Sequence, residues 1–150
     1  MSTYPTLSTR VIGQAEKTLE AILGRQLAGT GLTEPRWVIL TLAVAGGGTA
    51  GRDQFTRRVA DALKISETEA RAHIAGMVTA RQLQVTGDAR AVTATRAAHQ
   101  LHSRILTAIA GITQRLWGDL PAGDLATAGR VLAIITERAN AELARVREDS

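Results

Sequence analysis

The chain has 150 residues, a length that predicts one domain or one subunit of a small oligomer. It contains no cysteine, which excludes disulfides, thiolate metal sites and thiol-based catalysis. The longest apolar run, residues 37–45, is too short to span a bilayer, and no charged-then-apolar leader opens the chain, so we expect a cytoplasmic protein with no membrane partner. Aromatic residues make up only 3% of the chain and alanine supplies 26 residues, a composition that favours close-packed helices over a β-sandwich.

The positive charge of the chain is concentrated in its middle third. The formal net charge is +4, and residues 51–104 carry nine basic and five acidic groups. The segments before and after them carry net charges of only +1 and −1. A basic centre between two nearly neutral segments is typical of a module that binds a polyanion, although an arginine-rich solvated surface explains the charge equally well.

Two helices are predicted in the first third of the chain. Apolar residues recur at helical spacing from Leu7 to Leu27, and the segment Gly29-Thr30-Gly31 ends this first helix. The second helix begins at Thr33, a good N-cap, and its apolar residues 37–45 predict burial on nearly every side. The segment Gly46-Gly47-Gly48 stops it, and no lysine follows to make it a phosphate-binding loop.

A helix–turn–helix pair is predicted next. Asp53 is the expected cap of its first member. Ser66 and Glu69 match the S-x-x-E capping box, in which each side chain satisfies the free backbone N–H of the other residue. This pattern predicts a sharp turn near Ile65 and a second helix that ends near Arg81. The residues of that helix expected to face inward are Ala70, Ile74, Met77 and Val78.

A β-hairpin is predicted after this pair. A two-residue loop, Gly87-Asp88, would place Leu83 opposite Val92, and glycine at the first loop position fits a type II′ turn. A three-residue loop would pair Leu83 with Thr93 instead. We prefer the shorter loop because it places two apolar side chains opposite one another.

Two long amphipathic helices complete the chain, one over residues 95–117 and one that starts at or just before Asp124. The apolar stripes of the first, fifth and sixth helices lie too far apart in sequence to pair locally, which predicts a second copy of the chain as their partner. The expected fold is therefore mainly α with a small β-hairpin wing. A winged helix-turn-helix, residues 33–95, lies inside a helical dimerisation scaffold formed by residues 5–30 and 96–147.

Three stretches of the sequence carry a family likeness. Residues 31–38 are Gly-Leu-Thr-Glu-Pro-Arg-Trp-Val, residues 59–66 are Val-Ala-Asp-Ala-Leu-Lys-Ile-Ser, and residues 124–143 form the last apolar stripe. In this order they resemble the second-helix start, the helix–turn and the dimer-forming last helix of the MarR family of bacterial transcriptional regulators. The likeness covers nearly the whole chain, so that residues 1–150 would form a single MarR-like subunit. It implies a homodimer that binds a pseudo-palindromic DNA operator in the nucleoid and releases it on binding a small-molecule effector.

Two features depart from the family pattern. The family hairpin is usually longer and has an Asp-x-Arg pair at its tip, whereas here Asp88 and Arg90 remain on a shortened tip. The exposed face of the candidate recognition helix has few hydrogen-bond donors, and Glu67 and Glu69 in its first turn would repel phosphates. An alternative therefore stays open, in which the chain keeps the dimer scaffold and a ligand pocket but has lost specific DNA binding. It would then be a ligand-binding or protein-partner module.

Within this fold, the helix–turn–helix and the hairpin tip would contact DNA. Arg71 is the best candidate for reading base edges in a major groove, and Thr68 would contact a thymine methyl group or a phosphate. Arg90 would enter the neighbouring minor groove. The full predicted DNA-binding set is Gln54, Thr56, Arg57, Arg58, Ser66, Thr68, Arg71, Ala72, Ala75 and Arg90.

A small-molecule pocket is predicted beside Trp37, although a purely structural core position explains this residue at least as well. The predicted lining is Ile12, Arg36, Trp37, Leu40 and His102. His99 and His102 have metal-ligand spacing on one helix, but no nearby cysteine or carboxylate cluster supports a zinc site, and we interpret them as packing or dimer-interface residues. We expect no metal and no cofactor. We also expect no enzymatic activity, because no helical map brings serine, histidine and aspartate together for nucleophilic catalysis.

Overall fold

The computed structural model describes residues 3–46, 51–87 and 90–149. Within them the chain forms six helices and a two-stranded antiparallel hairpin. The elements are α1 Thr9–Leu27, α2 Glu34–Ala45, α3 Arg52–Leu63, α4 Glu67–Thr79, β1 Leu83–Thr86, β2 Ala91–Ala94, α5 Arg96–Trp117 and α6 Ala122–Asp149. The predicted class, mainly α with a winged helix-turn-helix, is confirmed, as is the order of the elements. Among the described residues, no helix combines the length and the apolar character that a membrane span requires.

The predicted helix starts follow from side-chain caps. The hydroxyl of Thr33 accepts a hydrogen bond from the backbone N–H of Arg36 at 3.4 Å, at the start of α2. The hydroxyl of Ser66 accepts from the backbone N–H of Glu69 at 3.1 Å, at the start of α4. Both bonds satisfy a backbone donor that the first helical turn leaves free, which explains why these helices begin where the sequence predicts.

The predicted cap of α3 is wrong. The helix begins at Arg52 with Gly51 as its N-cap, so Asp53 lies inside the first turn. The reason lies outside the local sequence, because Gly51 forms an antiparallel bridge with Ala91 of β2, and this pairing holds the backbone before Arg52 extended. Asp53 in the first turn still interacts favourably with the helix dipole.

The hairpin register also differs from the prediction. Leu83 pairs with Ala94 and Val85 pairs with Val92, which leaves a four-residue connection in place of the two- or three-residue loop. The backbone N–H of Arg90 donates to the carbonyl of Gly87 at 3.2 Å across this connection. The observed register places two pairs of apolar residues opposite one another, whereas the predicted one placed a single pair. Asp88 lies outside the described residues, so the predicted type II′ turn is not assigned.

The chain separates into two compact units, Met1–Ala110 and Gly111–Ser150. The core of the first unit is built around α2, which contacts α1, α3, α4 and β2. The largest fully buried side chains are Phe55, Ile39, Leu40, Ile74, Met77, Leu83, Val59, Val92 and Thr56. Three of the four α4 residues predicted to face inward are buried, and Val78 packs against the core at its edge. The functional division into residues 33–95, 5–30 and 96–147 stays a prediction.

The second unit contains the end of α5 and the whole of α6. Helix α6 begins at Ala122, directly after Pro121, which agrees with the predicted start at or just before Asp124. Of the described α6 side chains none is buried, and only Val131 and Ile134 are half-buried. The exposed large apolar residues of this helix are Leu125, Leu132, Ile135 and Leu143. Most of the predicted apolar stripe is therefore uncovered within a single copy of the chain.

The turn between α3 and α4 contains a strained residue. Lys64 ends α3 in the left-handed region with φ of 56°, a conformation that favours glycine. We expect Lys64→Gly to raise the free energy of unfolding by about 1 kcal/mol, because the left-handed conformation is unfavourable for a residue with a Cβ. Urea unfolding of the purified variant measures this change.

Lys64→Ala is the matched control for this prediction. It removes the exposed ion pair between Lys64 Nζ and Asp61 Oδ1, at 3.6 Å, but keeps the Cβ in the left-handed conformation. An exposed pair contributes little, so Lys64→Ala should leave the unfolding free energy nearly unchanged. Equal stability of the glycine and alanine variants would contradict the proposed strain.

Candidate nucleic-acid interface and ligand pocket

The exposed surface of the helix–turn–helix carries most of the predicted DNA-binding residues. The exposed members of the predicted set on α3, on the turn and on α4 are Gln54, Arg57, Arg58, Ser66, Thr68, Arg71, Ala72 and Ala75. Helices α3 and α4 pack directly against each other, as this motif requires. Thr68, Arg71 and Ala75 follow helical spacing, so they share one face of α4. This exposed face therefore corresponds to the predicted recognition surface, and it carries few hydrogen-bond donors.

Thr56 is a correction to the predicted set. Its side chain is only 2% exposed, and its hydroxyl donates to the carbonyl of Arg52 at 2.8 Å. A threonine inside a helix often returns its hydroxyl to the carbonyl four residues earlier, and this bond lets the side chain be buried. Thr56 therefore belongs to the core and has no surface to offer a phosphate.

Arg71, the predicted base reader, forms an ion pair within its own helix. Its Nη2 lies 3.5 Å from Oε2 of Glu67, one turn earlier, and about half of each side chain is exposed. Exposed pairs at this spacing contribute only about 0.3–0.5 kcal/mol. Arg71 can therefore exchange Glu67 for a base edge at small cost.

Arg58 and Ser66 have structural partners of their own. Nη1 of Arg58 lies 3.4 Å from the position that a Cβ on Gly46 would take, at the carboxyl end of α2. This end of a helix carries partial negative charge, which favours a nearby guanidinium. The hydroxyl oxygen of Ser66 caps α4, while its own hydrogen stays available for an outside acceptor.

The wing is connected to the start of α3 through the backbone. Arg90 is exposed at the end of the hairpin connection, with φ of 54°. It directly precedes Ala91, which forms the bridge to Gly51 at the N-cap of α3. Arg90, the predicted minor-groove residue, is therefore one residue away from the bridge that joins the wing to the helix–turn–helix.

Two of the predicted pocket residues meet directly. The rings of Trp37 and His102 stack with their centroids 4.6 Å apart and an interplanar angle of 21°. Both side chains are buried, at 8% and 5% exposure. The hydroxyl of Thr41 donates to the carbonyl of Trp37 at 2.9 Å, so its oxygen accepts from Nε2 of His102 at 3.1 Å. Burial lowers the pKa of His102 from its ordinary value of 6.5, and the charge of His99 lowers it further.

The other predicted pocket residues occupy different environments. Leu40 is fully buried in the core, and Ile12 is half-buried on α1. Nη1 of Arg36 donates to Oε1 of Gln82, the residue before β1, at 3.3 Å. Sequence reasoning missed Gln82, because no local pattern points to a contact across 46 residues. It also missed Thr41, although a hydroxyl one helical turn after Trp37 was a usable signal.

A carboxylate cluster also lies outside the predicted sites. Carboxylate oxygens of Glu16, Glu20 and Glu34 lie within 4.8 Å of one another between α1 and the first turn of α2. A side-chain hydrogen bond with Glu20 raises the pKa of Glu34, and burial and the charges of Glu20 and Glu16 act in the same direction. Nearby Lys17 opposes this effect on the pKa of Glu34. Sequence spacing did not predict the cluster because two helices contribute to it.

Comparison with known proteins supports the fold. No protein-family model matches the sequence, and no curated protein matches it. The DNA complex of S. aureus MepR is similar in structure, with a TM-score of 0.73, 12% identity and coverage of 89% of this chain and 96% of that chain. CouR from Rhodococcus jostii RHA1 bound to p-coumaroyl-CoA has a TM-score of 0.70, 14% identity and coverage of 83% and 88%. AbsC, a MarR family transcriptional regulator from Streptomyces coelicolor, has a TM-score of 0.68, 18% identity and coverage of 91% and 99%.

At these identities the likeness establishes the fold. The helix order, the helix–turn–helix and the two-stranded wing of this chain match the fold of solved structures described as MarR family transcriptional regulators. The resemblance that the sequence motifs carry is therefore confirmed at the level of the fold.

The buried Trp37–His102 stack predicts a pH dependence of stability. Because folding lowers the pKa of His102, the unfolded chain binds the proton more readily, and this contribution to stability falls as the pH drops below about 6.5. His102→Phe should keep a ring on Trp37 but remove the titration. We expect the drop in unfolding free energy between pH 7.5 and pH 5.5 to be smaller in this variant than in the parent.

Urea unfolding at the two pH values measures this difference. His99→Gln is the control, since it removes an exposed neighbouring histidine and leaves His102 buried. The control should keep most of the pH dependence of the parent. Equal pH dependence in the parent and in His102→Phe would show that His102 does not cause it.

Proposed function

We propose that this chain is a homodimeric, sequence-specific DNA-binding transcriptional regulator of the MarR type, a repressor that binds an inverted repeat and responds to a small molecule. The observation that carries the proposal is the exposed face of α4, which presents Thr68 and Arg71 directly after the tight turn of the helix–turn–helix. The likeness to MepR, whose structure contains DNA, supports the same use of this motif. The protein would act in the cytoplasm and associate with the nucleoid when bound to DNA.

The proposed DNA contacts are of two kinds: some position the protein on the phosphate backbone, and others read the bases. Arg57 and Gln54 on α3 would contact phosphates, where the first helix of the pair crosses the backbone. Arg71 would read a base edge in the major groove, with Thr68, Ala72 and Ala75 beside the bases. The remaining proposed contacts are Arg58 and Ser66 to phosphates and Arg90 to the minor groove.

The uncovered apolar side chains of α6 support the homodimer. A 28-residue helix with no buried side chain among those described gains little from the hydrophobic effect within one copy. A second copy is a partner that would cover the same stripe on both chains at once, as a two-fold interface does.

The proposed effector site is the region of the Trp37–His102 stack. Ile12, Arg36 and Leu40 are the other residues that we assign to it. The likeness to CouR, whose structure contains p-coumaroyl-CoA, supports a small-molecule ligand for proteins of this fold. An aromatic or apolar compound suits the stacked rings of this region.

A second function has one observation in its favour. On the exposed face of α4, Arg71 is paired with Glu67 and the residues at positions 72 and 75 are alanines. A face with so few donors would also suit a ligand-binding or protein-partner module that has lost specific DNA binding. Either function requires no catalytic group.

Selection from a random pool of duplexes, followed by binding measurements on the selected sequence, tests the proposal. We expect an inverted repeat with half-sites about 34 Å apart, and an affinity that falls steeply with salt. Arg71→Ala should reduce discrimination at one position of each half-site by about 5- to 100-fold, because it removes a base contact. Arg57→Ala should weaken all duplexes alike and lower the salt slope by about one, because it removes a phosphate contact.

Arg10→Ala is the matched control for charge, since Arg10 is an exposed arginine on α1 outside the proposed interface. It should leave both affinity and discrimination close to those of the parent. If the parent shifts no duplex even at low salt, the second function replaces the first. If Arg71→Ala discriminates as the parent does, the proposed docking of α4 is wrong.

The homodimer has a separate test. We expect sedimentation to give the parent twice the mass of one chain, and Leu132→Asp to shift it toward the single-chain mass. The reason is that a carboxylate in an apolar interface is strongly unfavourable. Thr127→Asp is the control, because it adds the same charge to an exposed position about 140° away around α6. A parent with the mass of one chain, or equal masses for the two variants, would contradict the α6 interface.

A further inference from the structure

The side chain of Arg36 joins distant segments of the first unit. Its Nη1 donates to Oε1 of Gln82 at 3.3 Å, and Nε2 of Gln82 donates to the carbonyl of Gly31 at 3.0 Å. Its Nη2 lies 2.9 Å from the position that a Cβ on Gly76 would take. We call Arg36, Gln82, Gly31 and Gly76 the Arg36 bridge. The guanidinium in this bridge lies against α4 on one side and the residue before β1 on the other.

The glycine in α4 is explained by this contact. Glycine destabilises a helix interior relative to alanine, and Gly76 has no positive φ that would require it. The atoms that an added Cβ would meet are Nη2 and Cζ of Arg36. Position 76 therefore gives up helix stability and leaves room for the guanidinium.

Gln82 is held on both its main chain and its side chain. Its backbone N–H donates to the carbonyl of Met77 at the end of α4, at 2.8 Å. Its carbonyl accepts from the N–H of Thr95, just before α5, at 3.2 Å. A residue fixed in this way gives Arg36 a rigid acceptor, so the bridge sets a defined distance between the start of α2 and the second half of α4.

We propose that Arg36 is a positioning residue for DNA reading: it fixes the second half of α4 so that Arg71 meets its base edge. This inference rests on the proposed function. Gly76 lies about 140° around the helix from Arg71, so the bridge acts on the placement of α4 without contacting the duplex. Hydrogen bonds to bases require side chains placed within a few tenths of an ångström, and a helix that can shift loses this discrimination first.

A mutant cycle tests the bridge without DNA. The four proteins are the parent, Arg36→Ala, Gly76→Ala and the double variant, and thermal unfolding is the measurement. In the Arg36→Ala background, Gly76→Ala should raise the Tm by about 3 °C, as alanine does in an open helix interior. With Arg36 present, the increase should be smaller, because the new Cβ meets Nη2 of Arg36 and the side chain must shift away from Gln82. An equal increase in both backgrounds would overturn the contact.

The same proteins then test positioning on the selected duplex. We expect Arg36→Ala and Gly76→Ala each to lower discrimination at the base pair read by Arg71 by about fivefold, while binding to random duplexes changes little. Arg36→Lys should not rescue discrimination, because one ammonium cannot contact Gln82 and lie over Gly76 together. If Arg36 only stabilised the fold, its substitution would lower the Tm and leave the discrimination ratio unchanged.

Gly24→Ala is the matched control, since a Cβ at this α1 position meets no atom within 4 Å. It should raise the Tm and keep the discrimination of the parent. If the parent binds no duplex, the proposed function fails, while the thermal cycle still decides whether the bridge exists. If the parent discriminates and both bridge variants discriminate equally well, the positioning role is overturned.

Discussion

Burial of α2 on almost every side is the constraint on which the rest of the first unit depends. Ile39 and Leu40 are completely buried, and the helix contacts α1, α3, α4 and β2. Protein interiors are close-packed, so elements that share one buried helix cannot shift independently. The helix–turn–helix and the root of the wing are therefore placed by the same surface. The Arg36 bridge adds a polar connection, at the edge of this surface, between the start of α2 and the second half of α4.

Features that depend on residues a few positions apart could be predicted from the sequence. The capping pattern of Ser66 and Glu69 located the start of α4, and the apolar run of residues 37–45, which only Thr41 interrupts, predicted the burial of α2. Features that depend on distant residues could not. The cap of α3 was misplaced because Gly51 is held by Ala91, and the register of the hairpin was misplaced because its four-residue connection has no strong local signal.

The same distinction applies to the candidate site. Exposure of Thr68, Arg71 and Ala75 follows from helical periodicity once the inward face of α4 is known. Thr56 was misplaced because the sequence does not show that its hydroxyl bonds to the carbonyl of Arg52, a contact that lets the side chain be buried. The contact of Arg36 with Gln82 spans 46 residues, and only the folded chain reveals it.

The proposed homodimer would explain two features of the chain together. The exposed face of α4 offers few donors, so one copy of the face would bind a duplex weakly. In the proposed complex the carboxylate of Glu67 would lie near the duplex and disfavour phosphate contact, which would lower the affinity for all sequences. Two such faces joined through α6 would bind with a large effective concentration for the second contact. In the proposed dimer, a face with few donors and an uncovered apolar stripe would serve the same purpose, because two joined contacts would multiply the sequence selectivity of each face.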